Sequence, residues 1–196
     1  MEKKTRAMQA EETKNRILEI ALAMFEKQNI DEIRVTDICK KAKVSVGAFY
    51  HYYPSKNSII EDTYIKIDQR AVVEAASISC DSETERILKF LNLSMDIMAE
   101  RGYYFVANVY RFILEGDNPY VLREDRPTTQ FILKAVERGI ASDEFLSTID
   151  AKSISATIMR TVRGIAFDWS VAEGCYSLKD EVYCVIKNIL AAYRAT

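Results

Sequence analysis

His51 is the single imidazole among 196 residues, and it stands inside the aromatic run F-Y-H-Y-Y, Phe49 to Tyr53. One histidine cannot supply the several short-spaced ligands of an ordinary zinc site, and it could serve at most one hydrolase triad. The four cysteines, Cys39, Cys80, Cys175 and Cys184, form no CxxC pair and read as free thiols packed as small hydrophobes. Neither GxGxxG nor GxxxxGK with a following Ser or Thr is present, so no phosphate-cradling loop is announced. Carboxylate pairs at helical spacing are unavoidable among 29 acidic residues, and such pairs ordinarily form a solvated face. The expectation is a protein that is not an enzyme and carries no metal or cofactor. Binding is what remains for the Tyr-His-Tyr cluster: hydroxyl and imidazole groups donate hydrogen bonds to phosphates, and ring edges cover sugars.

Short helices must hold that cluster. Ile17, Ile20, Ala21, Met24 and Phe25 recur at amphipathic spacing, predicting a helix over 13–28 with Thr13 as its N-cap. A second helix is expected over Val35–Ala42. A third, over Val46–Tyr52, is capped by Ser45 and stopped near Pro54, because proline clashes with a continuing helix. Ile38, Ala42, Val44 and Phe49 have the spacing to pack the last two helices across a tight turn, leaving Ser45, Val46, Ala48, His51 and Tyr52 outward. Two adjacent short helices with one exposed polar and aromatic surface form a helix-turn-helix, whose second member enters the major groove of DNA.

From Lys56 onward the segments lengthen. Helices are predicted over 56–77, 83–100, 102–115, 127–141, 150–173 and 178–194, with no strand, repeat or low-complexity tract. Only 6 Gly and 3 Pro punctuate the chain, which argues against a turn-rich β-sandwich. The fold class is all-α with about nine helices, and the single boundary near Pro54 divides it into residues 1–55 and 56–196. Charge follows that division: residues 1–56 hold 11 basic against 8 acidic groups, net +3, and the remainder holds 16 against 21, net −5. The basic part suits nucleic acid, although +3 is modest. No signal segment or membrane-length apolar run is present, so a cytoplasmic protein without membrane contact is expected.

The stretch T-D-I-C-K-K-A-K-V-S-V-G-A-F-Y-H-Y-Y-P-S-K, within Thr13 to Ile60, resembles the tetracycline-repressor-like (TetR/AcrR) family of bacterial regulators. A weaker likeness lies in R-G-I-A-F-D-W-S-V-A-E-G, Arg163 to Gly174, similar to a segment near the C-terminal end of many members. The resemblance implies that Thr36 touches DNA backbone and that Ser45, Val46, Gly47 and Ala48 open the recognition helix. It further implies that Tyr50, His51 and Tyr52 contact phosphate or base edges and that Lys56 holds a phosphate. Two positions depart from the pattern. Lys43 stands where many members have Gly, so the turn is tolerant here or the lysine is kept for its charge. Arg34 replaces a capping Thr, so capping passes to Thr36 or is lost. Gly47 either admits a phosphate or relaxes a crowded helix start, and Lys3, Lys4 and Arg6 form either a frayed terminus or an arm.

The helix Tyr103–Leu114, Y-Y-F-V-A-N-V-Y-R-F-I-L, is apolar on nearly every side and is expected to be buried all round. Asn108 and Arg111 interrupt it at spacing three and share one face. A buried Arg111 must meet an acidic partner or look into a cavity. A ligand pocket in the C-terminal part is expected to draw on Met98, Tyr103, Tyr104, Asn108, Tyr110, Arg111, Phe112, Phe131, Met159 and Trp169. The effector is read as an apolar or aromatic small molecule; Arg111, Arg160 or Arg163 suits an acidic one if any of them faces the pocket. Stripes at Ile154, Ile158, Val162, Ile165 and Trp169, and at Val182, Val185, Ile186, Ile189 and Tyr193, either build a homodimer's four-helix interface or close the monomer's own core. Ala156 and Gly164 would permit close approach in the former case. The reading is a homodimeric repressor released from a palindromic double-stranded DNA operator by a small molecule. Its rival is a helical protein-interaction module with weak or lost DNA binding.

Overall fold

The computed structural model describes residues 5–115 and 120–195, and every regular element in them is helical. In chain order these are α1 (Arg6–Phe25), a 3-10 turn (Ile30–Glu32), α2 (Val35–Ala42), α3 (Val46–Tyr52), α4 (Lys56–Ala75) and α5 (Glu83–Ala99). There follow α6 (Gly102–Glu115), a second 3-10 turn (Tyr120–Leu122), α7 (Pro127–Ala141), α8 (Ala151–Val171) and α9 (Leu178–Ala192). The all-α expectation holds: the one β-type pairing among the described residues is an isolated antiparallel bridge, Phe145 with Arg194.

Helix α1 corrects its expected bounds. It starts at Arg6, and Thr5 caps it by accepting a hydrogen bond from the Met8 N–H at 3.3 Å. Nothing between Arg6 and Thr13 breaks a helix, and Ala7, Met8, Gln9, Ala10, Glu11 and Glu12 favour one. Thr13 therefore lies inside, its hydroxyl donating back to the Gln9 carbonyl at 2.8 Å. The helix ends at Phe25, short of residue 28. The Asn108 side-chain amide takes the carbonyls of Phe25 and Gln28, which turns the chain off the helical path.

Ile17, Leu18, Ala21, Leu22 and Phe25 of α1 are buried, and α1 packs on α2, α4 and α6. That apolar surface is continuous with the core beneath α4–α9, where α5 lies against α4, α7 and α9, and α8 against α6, α7 and α9. Close approach is enforced at Gly139: a Cβ there would lie 2.3 Å from the Phe145 ring. The α7–α8 loop in turn holds α5, because Glu144 accepts from the Glu83 and Thr84 N–H groups at 2.8 Å each and supplies negative charge to the helix N-terminus. All four cysteines are free; Cys39 is buried, whereas Cys175 and Cys184 are exposed and so do not serve as packing. No helix among the described residues is long and apolar enough to cross a membrane.

Candidate nucleic-acid interface and effector pocket

Helices α2 and α3 meet across residues 43–45 and present one surface. Phe49 is fully buried and anchors α3, with Tyr53 behind it at a ring separation of 6.2 Å. The Tyr53 hydroxyl is buried without a hydrogen-bond partner among the described residues, and burial, then Asp62 and Glu11, pushes its pKa up to about 12. The opposite side of α3 carries Val46, Gly47, Tyr50 and His51, all exposed, flanked by exposed Ser45 and by half-buried Ala48 and Tyr52. Ser45 Oγ accepts from the Ala48 N–H at 3.0 Å, fixing the helix start at the surface. Thr36 is exposed on α2 beside it. A Cβ added at Gly47 would meet only Ser45 Oγ, at 3.9 Å, so that helix start is open, not crowded.

The turn adopts the geometry that glycine normally serves. Lys43 sits at φ 54°, ψ 48°, left-handed, and the Val44 N–H reaches back to the Cys39 carbonyl at 3.1 Å. Arg16 of α1 donates from Nε to the Ala42 carbonyl at 2.9 Å, which satisfies the C-terminus of α2 and ties the turn to α1. Capping at the other end of α2 is lost: Arg34 occupies the cap position and makes no side-chain cap bond. Lys56 points inward as much as outward. Its ammonium donates to the Ile30 and Ile33 carbonyls at 2.7 and 2.6 Å, which commits two of its three protons inside the protein.

A narrow cavity lies between α4, α5, α6 and α8, within about 650 Å³ of non-atom space that includes solvent at its mouth. Ile67, Met95, Met98, Val109, Ile113, Met159 and Val162 supply apolar wall. Its polar end is built on Asp68, Arg126 and Thr128. Asp68 receives Arg126 Nε and Nη2 at 2.8 Å each and the Thr128 hydroxyl at 2.9 Å, while Arg126 Nη1 donates to the Val121 carbonyl at 2.7 Å. The two charged side chains are 2% and 5% exposed, so both are removed from water and depend on each other. Tyr64 and Tyr120 place their rings over the guanidinium, with centroids 5.0 and 5.4 Å away. Tyr110 joins α6 to α8 by donating its hydroxyl to the Arg163 carbonyl at 2.5 Å.

The family model for bacterial regulatory proteins of the tetR family matches residues 17–63, which hold the C-terminal part of α1, all of α2 and α3, and the start of α4. The transcriptional regulator UidR of Escherichia coli K12, of helix-turn-helix type, is 30% identical over 165 residues, covering 82% of this chain and 83% of that protein. The chain belongs to the TetR family of bacterial regulators. Its homologues are transcriptional regulators, not enzymes, and α2–α3 is the family's DNA-binding helix-turn-helix. The fold agrees with solved TetR-family structures. Thermus thermophilus FadR, a repressor crystallised with lauroyl-CoA, superposes with a TM-score of 0.71 at 16% identity, over 90% of this chain and 93% of that one. Bacillus subtilis FadR, crystallised with stearoyl-CoA, gives 0.71 at 17% identity over 92% and 99%.

Within this TetR-family chain the expected pocket residues fall in different places. Met98, Tyr110 and Met159 line the cavity, and Phe112 lines a smaller pocket next to it with Ile60, Tyr64 and Tyr120. Phe131 stacks on Phe90 at 3.9 Å, and Trp169 is buried with Nε1 donating to the Tyr176 carbonyl at 2.9 Å. Tyr103 and Tyr104 stack on each other at 4.5 Å outside the cavity. Arg111 is not buried: half of its side chain is exposed, and it pairs with Asp31 at 3.7 Å. Asn108 is buried, yet it faces α1, accepting from the Ile30 N–H at 3.0 Å and donating to the Phe25 and Gln28 carbonyls at 3.0 and 3.1 Å. Both therefore belong to the junction with the DNA-binding helices. Helix α6 is consequently buried along one side only, and Leu114 in its last turn is 85% exposed. Sequence reading missed Asp68, Arg126, Tyr64 and Thr128. The available signal was an acidic residue on the apolar stripe Ile60, Tyr64, Ile67, Ala71 of α4.

Proposed function

We propose that this chain is a homodimeric repressor that reads a palindromic double-stranded operator with α3 and leaves it when a small molecule fills the α4–α6–α8 cavity. The observation that carries this reading is the position of α6. It lines the cavity through Val109, Tyr110 and Ile113, and holds α1 and the 30–32 turn through Asn108. A ligand that displaces α6 then acts directly on the unit bearing α3, and a preference for the displaced state of 1 to 3 kcal/mol would lower operator affinity about 5- to 150-fold. In this reading residues 1–55 form the reader and 56–196 the effector-binding and dimerisation part. Ser45, Val46, Gly47, Ala48, Tyr50, His51 and Tyr52 meet the groove and its phosphates, with Thr36 on the backbone alongside.

Dimerisation is supported by what α8 and α9 leave uncovered. Ile154, Ile158, Val162, Trp169, Val182 and Ile186 are buried in the protomer's own core, whereas Phe167, Val171 and Tyr183 are exposed and Gly164 meets nothing within 4 Å. Exposed apolar side chains beside the open space at Gly164, which Asp168 and Glu181 border, suit a self-complementary contact with a polar rim. Two readers would then address major grooves about 34 to 36 Å apart. The effector is a small molecule whose larger part is apolar, as the cavity walls require, and the acyl-CoA complexes of the two FadR proteins support a chain-like occupant. The test is selection from random duplex DNA with purified, folded protein. Recovery of an inverted repeat, bound with salt-dependent affinity and lost in a Tyr50→Ala, His51→Ala variant, supports the reading. Failure to enrich any sequence removes it and favours a protein-interaction module.

A further inference from the structure

The charge at the polar end of the cavity does not balance. Its charged walls are Asp68, Arg126 and Arg163, and Asp68 is fully engaged by Arg126 and Thr128. Arg163 is half-buried on α8 and makes no ion pair with any described residue, while its own backbone is fixed by Tyr110. Burial, then the neighbouring Arg126 charge, disfavours its charged form, with Tyr64 and Tyr110 opposing and Arg160 adding a smaller contribution. A guanidinium stays protonated regardless, so Arg163 favours an anion that can accept its paired N–H groups.

The surroundings say from which side that anion comes. A wider, more open groove shares Val121, Met159 and Arg163 with the cavity and opens to solvent between α7 and α8. Among the described residues it carries Arg160, Lys152 and Arg123 against one acid, Glu124, and Arg123 is already paired with Asp125 at 2.6 Å. Across Arg163 the lining therefore changes from methionine and aliphatic carbon to excess positive charge. The cavity itself is narrow. Met95, Met98 and Met159 line it, and unbranched thioether side chains repack readily around an entering chain.

We propose that the effector is an anionic amphiphile: an apolar chain or ring system enters between Met95, Met98 and Met159, and a carboxylate or phosphoryl head is held at the cavity mouth by Arg163 with Arg160 beyond it. This rests on the reading of the cavity as the effector site, and the test separates the two. Decanoate, decyl phosphate, decanol and decyltrimethylammonium share one chain and differ in the head. Their affinities are measured by calorimetry below micelle concentration, on the full-length protein at fixed ionic strength. At least one anion is expected to bind about tenfold or more tightly than decanol, the size of one charge-assisted hydrogen bond. The two anions together report which head is preferred.

Arg163→Met is expected to remove that preference and leave decanol affinity within about twofold, and Arg163→Lys, which keeps the charge, to retain part of it. The lysine variant distinguishes head-group recognition from a packing defect. Decanol or the ammonium compound binding as tightly as both anions, or undiminished anion binding to folded Arg163→Met, overturns the anion site and leaves the cavity reading standing. No binding of any of the four to protein that still binds DNA overturns both.

Discussion

Replacing Asp68 by Asn keeps the shape of the side chain and removes its charge, in a place where the structure allows little relief. Arg126 is 2% exposed and directs Nε and Nη2 at the two Asp68 oxygens. In Asp68→Asn one of those oxygens becomes an NH₂ group facing a donor, and the guanidinium is left buried without a counter-charge. Breaking a buried pair on one side costs about 3 to 5 kcal/mol, a large part of a total stability of roughly 5 to 15 kcal/mol. For a chain of this length each kcal/mol moves the midpoint about 2 to 4 °C, so the thermal transition is expected to fall by roughly 6 to 20 °C. Urea and thermal unfolding followed by circular dichroism, at one fixed protein concentration, measure the loss. Adding Arg126→Met removes the orphaned charge and fills the space with carbon, so the double variant is expected to recover about 2 kcal/mol or more over Asp68→Asn. A single-variant loss below about 1 kcal/mol, or a double variant whose losses simply add, would refute the claim that this pair is desolvated and mutually dependent.

Three further substitutions test the DNA-binding unit. Asn108→Ala strips partners from the Ile30 N–H and from the Phe25 and Gln28 carbonyls, and is expected to cost about 2 to 4 kcal/mol in urea unfolding. Lys43→Gly relieves a left-handed residue and is expected to stabilise by about 1 kcal/mol. A lysine kept there for its charge on DNA predicts in addition that the log–log salt slope of operator binding falls by about 1 in this variant, and an unchanged slope means that Lys43 meets no phosphate. Arg34→Ser supplies the missing cap of α2 and is expected to raise stability by about 1 kcal/mol in the same unfolding assay.

Residues that act through local rules were legible in the sequence. Ser45, Phe49 and Pro54 set α3, because a cap, a buried anchor and a stop are each decided within a few positions. Helix bounds beyond Lys56 follow from periodicity and punctuation in the same way, with ends that differ by one or two residues. The start of α1 was misread because Thr13 has a cap's chemistry, and nothing local reports that Thr5 has it too. Arg111 and Asn108 share a face, as their spacing predicts, but spacing does not say what covers that face. The covering surface belongs to residues 25–31, about eighty positions earlier. Arg126 was missed for a related reason: it precedes a proline in a loop, and its partner Asp68 is brought to it by the packing of α4 against α7.

The bond set around Asn108 also fixes how finely α6 can move without consequence. Apolar surfaces slide past one another with a gradual change in energy, whereas a hydrogen bond is largely gone once its atoms part by about half an ångström. Three such bonds on one amide share a single fate. Small thermal excursions of α6 therefore leave the reader where it is. A larger displacement must either carry residues 25–30 with it as one body or surrender all three bonds at once. The junction behaves as a catch: it holds against small displacements and gives way as a whole.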